Sequence, residues 1–160
     1  MNRTLIRSRI RRLLLVTVLF IPTLTLAGEH GRVTRVVDGD TIKVRIAGRT
    51  ETVRLIGVDT PETVDPRKPV QYFGEEASEF TKELALGEEV SLQTDPQCSN
   101  RDRYRRLLRY VYLSDGTLVN AEIVAQGYGF AYTKYPFSRM KEFRKLERRA
   151  RNEGRGLWAN

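Results

Sequence analysis

Three carboxylates and an arginine crowd one short stretch of this 160-residue chain. Asp38-Gly39-Asp40-Thr41 precedes Arg54, and Asp59-Thr60-Pro61-Glu62 follows it. Asp40, Asp59 and Glu62 offer the oxygen ligands that a hard divalent cation takes; Ca2+ and Mg2+ both suit them, and residue type alone does not separate the two. An arginine beside such a cation suits a phosphate, because its planar fork grips two anionic oxygens together. The set points to phosphoryl chemistry. The duller reading has each Asp capping a turn and Arg54 paired across solvent with Glu51, worth about 0–1 kcal/mol. Asp38, beside Gly39, is expected to shape the turn and to play only a minor part at the metal.

Other chemistries lack their parts. The chain has one histidine, His30, and one cysteine, Cys98. Zinc sites of the usual His/Cys kind, Ser-His-Asp triads and an intrachain disulfide are therefore excluded. The formal charge is +8, but it is unevenly spread. Arg3, Arg7, Arg9, Arg11 and Arg12 form a basic head, residues 13–26 run almost wholly apolar, and Thr25 and Ala27 are small. That order predicts a secretory signal over 1–27, cut after Ala27, and a protein that is secreted or periplasmic with no membrane association after cleavage. The apolar run is shorter than the roughly 20 residues of a bilayer span. Residues 28–160 then carry 23 basic against 20 acidic side chains, a balance of +3. Such a balance permits nucleic-acid binding without arguing for it. Local clustering says more: Arg101, Arg103, Arg105, Arg106 and Arg109 share one segment.

The elements that must position these groups begin with strands. Val33, Val36 and Val37 lead into the turn dipeptide Asp38-Gly39. Ile42, Val44 and Ile46 alternate with Lys43 and Arg45, a half-buried strand. A third strand is expected with Val53, Leu55 and Gly57 on one face and Arg54 and Ile56 on the other. Pro61, Pro66 and Pro69 mark an exposed loop that carries Arg67 and Lys68. Phe73, Ala77, Phe80 and Leu84 recur at helical spacing and predict a helix over 70–86, stopped at Gly87. Residues 90–92 form a short strand, 94–105 a charged loop and 107–113 a fifth strand. Two further helices are expected over 119–126 and 138–152, the second with a narrow apolar stripe and many exposed cations that read as a solvated face. Leu157 and Trp158 are expected to tuck the tail onto the core. Five short strands with a helix between the third and fourth match the α+β layout of the OB-fold, a small Greek-key barrel with about three added helices here.

With Asp102-Arg103-Tyr104-Arg105-Arg106 added, the ordered set of Asp38-Gly39-Asp40-Thr41, Arg54-Leu55 and Val58-Asp59-Thr60-Pro61-Glu62-Thr63 resembles the staphylococcal nuclease (thermonuclease) family. Tyr72-Phe73-Gly74, Glu76-Ala77-Ser78, Val119-Asn120, Gln126-Gly127 and Leu157-Trp158 extend the likeness across most of 32–158. The resemblance implies an OB-fold that cleaves DNA and RNA with calcium at the 5′-oxygen side, leaving 3′-phosphate ends. By the same resemblance, Asp40 and Asp59 are metal ligands and Thr60 supplies its backbone carbonyl. Glu62 handles the attacking water, and Arg54 and Arg106 bind the scissile phosphate. Tyr104 and Tyr132 line the nucleotide pocket, with Asp102 and Arg103 beside it. Two departures stand out. Where the family carries glycine, this chain has Arg105, which leaves open whether Arg105 or Arg106 meets the phosphate; the order Tyr-x-Arg before a strand favours Arg106. Lys134, followed by Tyr135, replaces a second pocket tyrosine, so weaker stacking and stronger phosphate attraction are expected. The substrate implied is single-stranded or loosened DNA and RNA, taken by a monomer without a stable protein partner. The alternative is a non-catalytic OB module that binds nucleic acid or a protein.

Overall fold

Alternating apolar residues build the first two strands, but the buried pair Val33 and Val36 is spaced by three, which a regular two-residue period cannot place on one face. The chain resolves this with irregularities. β1 (Glu29–Asp38) pairs antiparallel with β2 (Thr41–Ile46), and the register slips between Val33 and Arg35 and again between Val36 and Asp38. The first slip returns Val36 to the buried side that Val33 occupies, and Asp38, two residues further on, is buried as well. The hairpin closes through Gly39 and Asp40, where a Cβ on Gly39 would stand 2.9 Å from the Thr60 side chain. Glycine is needed there for close approach.

The structure is a computed structural model that describes residues 28–63 and 72–159. Residues 1–27, where a secretory signal is expected, and the expected loop bearing Pro66, Arg67, Lys68 and Pro69 lie outside the described residues. β3 (Arg49–Leu55) continues the meander after the Ala47-Gly48 turn, and β5 (Glu89–Gln93) and β6 (Leu107–Leu113) complete a closed five-stranded barrel in the order β1-β2-β3-β6-β5. β3 and β6 run parallel; the other barrel pairs are antiparallel. The barrel is filled by Val33, Val44, Val53, Leu55, Leu92 and Val111, each nearly or wholly buried. The expected mixed α+β barrel is present.

The third strand is shorter than expected. It ends at Leu55; Ile56 is buried and Gly57 turns the chain at φ 76°. A two-residue strand, β4 (Val58–Asp59), follows and pairs with β7 (Phe130–Ala131), an element with too few residues to leave a periodic signal. α1 (Gly74–Ala85) starts after Phe73, which takes φ 67° and stands outside the helix with its ring against Tyr128; residues 70 and 71 of the expected helix lie outside the described residues. α2 (Val119–Ala125) and α3 (Met140–Asn152) fall within a residue or two of expectation. Asn120 joins α2 to the barrel: its amide donates to the carbonyls of Ile56 and Arg109 and its oxygen accepts from Val111 N–H. The tail docks as expected, with Leu157 N–H donating to Gly127 O and Trp158 meeting Phe130 edge-on.

Candidate active site

Strand register brings the first acid to the arginine. Thr41 is paired with Arg54 across β2 and β3, and Leu55 N–H donates to Asp40 O at 2.9 Å, so Asp40 and Arg54 become neighbours although 14 positions apart. The turn at Gly57 sends the chain back past the same point. Asp59 then accepts from Arg54 Nη2 at 2.9 Å, while Arg54 Nη1 pairs with Asp40 Oδ2. One guanidinium thus bridges both acids. The alternative of a solvent pair between Arg54 and Glu51 does not form: Glu51 accepts two bonds from Arg101, at 2.9 and 3.0 Å, and lies three positions from Arg54 on β3, on the other face of the strand. Burial pushes the Arg54 guanidinium down from its ordinary value, Asp59 pulls it back up, and the neighbouring charge of Arg106 pushes it down again.

Backbone contacts fix this cluster. Thr60 N–H donates to Asp40 Oδ2 at 3.0 Å, and the pairing of Asp59 with Phe130 and of Tyr132 N–H with Gly57 O holds β4 from its other side. The donor set suits a hard cation, being two carboxylates with threonine oxygens close by, and the buried Thr60 Oγ1 has no hydrogen-bond partner. Among the described residues no three His, Cys, Asp or Glu side chains gather around one point. The third acid explains why: Glu62 lies beside Asp38. Asp38 is buried, accepts from Gly39 N–H, Thr63 Oγ1 and Ser78 Oγ, and its carboxyl is raised by burial and by the nearness of Glu62. Asp38 is more than a turn former; it ties β1 to the segment before α1.

Arg106 approaches from the opposite side. Its Nε and Nη2 both bond Asp102 Oδ2 at 2.7 Å, and its Nη1 reaches Thr41 Oγ1 at 3.5 Å. Asp102 Oδ1 also accepts from the N–H groups of Tyr104 and Arg106, so one carboxylate folds the turn and aims the arginine. Arg105 is exposed and takes φ 68°. Arg105 therefore adopts a left-handed conformation that glycine takes more readily. Arg106, not Arg105, is the arginine beside Arg54.

A cleft of about 540 Å3 opens at the cluster, lined by Arg54 and Arg106 together with Tyr104, Tyr132, Lys134 and Tyr135. Tyr132 and Tyr135 meet edge-on at 6.0 Å, and Arg103 caps the Tyr104 ring and donates to its hydroxyl. Residues 52–160 match the model of the family described as staphylococcal nuclease homologue. The chain is 39% identical over 130 residues to a thermonuclease of Staphylococcus hyicus, covering 81% of this chain and 75% of that protein. It is 47% identical over 100 residues to a thermonuclease of Staphylococcus intermedius, covering 62% and 58%. With the endonuclease YncB of Bacillus subtilis (strain 168) the identity is 40% over 127 residues, covering 78% and 59%.

The chain belongs to the staphylococcal nuclease family. It spans three quarters of the first relative and under two thirds of the other two. The family match contains Arg54, Asp59, Thr60, Glu62 and Arg106; Asp40 lies upstream of it and enters the site through the β2–β3 register. Two members of the arginine cluster turn out to serve the fold. Arg101 holds Glu51, and Arg109 is buried with bonds to Glu29, Asn100 and Leu108. Asp95, read only as part of a polar loop, is buried and accepts from Tyr110 Oη, Ser138 Oγ and the N–H groups of Gln97 and Ser138. A lone Asp in a charged segment carries no sign of such a role. Tyr110, its partner, is a barrel residue as expected.

Proposed function

We propose that this protein is a metal-dependent endonuclease that hydrolyses phosphodiester bonds of DNA and RNA, using calcium and leaving 3′-phosphate ends. The observation that carries the reading is the single point where Asp40, Asp59 and Arg54 meet, with Arg106 facing it across the mouth of an aromatic-walled cleft. Two acids and one arginine give that point a net charge of −1, so by itself it attracts cations and repels phosphate. A divalent cation held by Asp40, Asp59 and the Thr60 carbonyl would polarise the phosphoryl oxygen and lower the pKa of the attacking water.

The remaining work falls to side chains. Arg54 and Arg106 supply fixed donors for charge that builds on the phosphorus-bound oxygens, worth about 3–4 kcal/mol each if they act as an oxyanion-hole donor does. Their carboxylate partners aim them before substrate arrives, which removes an orientational cost. Proton transfer from the water is assigned to Glu62, which lies beside Asp38 at the edge of the cluster and would have to turn toward the metal-bound point. Tyr104 and Tyr132 offer ring faces and edges to the base or sugar next to the scissile bond. The basic head and apolar run of residues 1–27 support export before folding.

The test is incubation of the purified protein with single-stranded DNA and RNA, with calcium, with magnesium or with chelator, followed by end-group analysis. Calcium-dependent fragments with 3′-phosphate ends are expected. DNA binding without fragments in any metal would instead make this a binding module.

A further inference from the structure

We infer that α3 carries a second nucleic-acid contact, a phosphate-binding stripe outside the cleft formed by Lys141, Arg144, Lys145 and Arg148. This rests on the nuclease reading and extends it from a bond to a polymer. The four positions follow the i, i+3, i+4, i+7 pattern, so they share one face of the helix. All four are exposed, and the face opposite them carries Phe143 and Ala150 into the core. The cations gather on one face because the apolar side of the helix is already occupied.

Acids that would neutralise the stripe are engaged elsewhere. Glu142 pairs with Arg139, Glu147 with Arg151, and Glu153 with Arg149 and Arg155. Among the described residues none of the four stripe cations has an ion pair. An ordinary solvated helix face interleaves both signs, as the other flank of α3 does. Here four like charges stand along about 10 Å of helix at 1.5 Å per residue. Phosphates recur about every 3.4 Å along one strand of a duplex, so that length faces a few consecutive charges.

The stripe is separate from the cleft: Phe143, on the opposite and buried face of α3, packs edge-on against Phe137 at 5.4 Å, and it is Phe137 that lines the cleft. A membrane is the other polyanionic surface that attracts such a face, but interfacial helices set large apolar residues beside their cations. Among the described residues the exposed large apolar side chains are Tyr72, Leu86, Tyr104 and Tyr135, none of them on α3. The geometry favours a phosphodiester backbone.

The experiment compares the parent protein with the quadruple variant Lys141→Gln, Arg144→Gln, Lys145→Gln and Arg148→Gln. Glutamine keeps helix propensity, so the fold is expected to persist. Binding to a single strand of about 30 nucleotides is measured in chelator over a salt series, beside binding to a dinucleotide. Each lost phosphate contact lowers the slope of log K against log salt by about 0.7, so a fall of about 2–3 and a weakening of about tenfold or more at low salt are expected. Dinucleotide affinity should not change. An unchanged slope on the long strand overturns the inference, as does stripe-dependent binding to anionic phospholipid vesicles with DNA binding intact. A protein that shows the stripe effect but never cleaves would sink the nuclease reading alone.

Discussion

Arg54 and Arg106 face the same reaction point, yet they are held in opposite ways. Arg54 sits on a barrel strand, mostly buried, gripped by one acid from the turn before β2 and one from β4. Arg106 ends a loop and is aimed by one acid four residues earlier, with a left-handed arginine between them. The first is set by strand register and could move only if the barrel did. The second is set by side-chain bonds to a turn and can be altered locally. One half of the site is therefore fold-determined and the other loop-determined, and substitutions should separate the two.

The largest effect is expected at Arg54. Arg54→Gln should lower kcat about 10²–10³-fold, the loss seen when a fixed transition-state donor is removed. It also leaves Asp40 and Asp59 without their shared counter-charge, which for a partly buried pair costs about 3 kcal/mol. In chelator the variant should unfold at markedly lower urea, and added calcium should restore more stability to it than to the parent, because the cation then replaces a missing charge. Equal calcium stabilisation of both proteins would mean that Arg54 and the metal do not share the acids.

Next comes the far end of the loop, where Asp95 ties it to β6 and to the start of α3. Burial alone would raise this carboxyl, but hydrogen bonds from Tyr110, Gln97 and Ser138 outweigh it and hold Asp95 below the ordinary carboxylate range. A lowered folded value means that the unfolded chain binds the proton first. The stabilisation is thus complete above about pH 4 and is lost as the pH falls through the folded value. Asp95→Asn should cost about 2 kcal/mol at neutral pH. It should also flatten the acid limb of stability against pH relative to the parent. Parallel acid limbs in the two proteins would show that Asp95 is not the group responsible.

Asp102→Asn tests the aiming of Arg106 with the turn preserved. The Asn oxygen can still accept from the N–H groups of Tyr104 and Arg106, but the amide that replaces Oδ2 cannot accept from the guanidinium. A drop in kcat of about tenfold with little change in KM is expected, since a misaimed donor weakens the transition state more than the ground state. A pure rise in KM would assign Asp102 to nucleotide binding instead.

The same division explains what could be read from the residues. The barrel was legible because Ile42, Val44 and Ile46 alternate, and the helix beside it because Ala77, Phe80 and Leu84 recur at helical spacing. The acids and Arg54 were legible as a cluster because short turns keep them close along the chain. What escaped depends on single contacts without a pattern. β7 is two residues long, Asp95 earns its burial from partners 15 and 43 positions away, and the inner face of β1 changes parity between Val33 and Val36 where the register slips. The placement of Glu62 beside Asp38 belongs to the same class. Arg109 misled for a related reason: a cation in a basic run looks like its neighbours until burial shows which one the barrel has taken.

The smallest effect settles the arginine that precedes Arg106. A non-glycine residue in the left-handed region costs about 1–2 kcal/mol, and glycine returns part of that through the larger freedom of its unfolded chain. Arg105→Gly should therefore stabilise by about 0.5 kcal/mol, read as a small rise in the urea midpoint with an unchanged slope. Ala47→Gly is the matching control, since Ala47 takes φ 46° in the β2–β3 turn of the fold-determined half. Both variants should gain stability by relief of the same backbone strain, and both should keep kcat. If Arg105→Gly instead lost tenfold in kcat while Ala47→Gly did not, the phosphate would be meeting the exposed arginine. The loop-determined half would then have to change its conformation when substrate binds, whereas the barrel half would not.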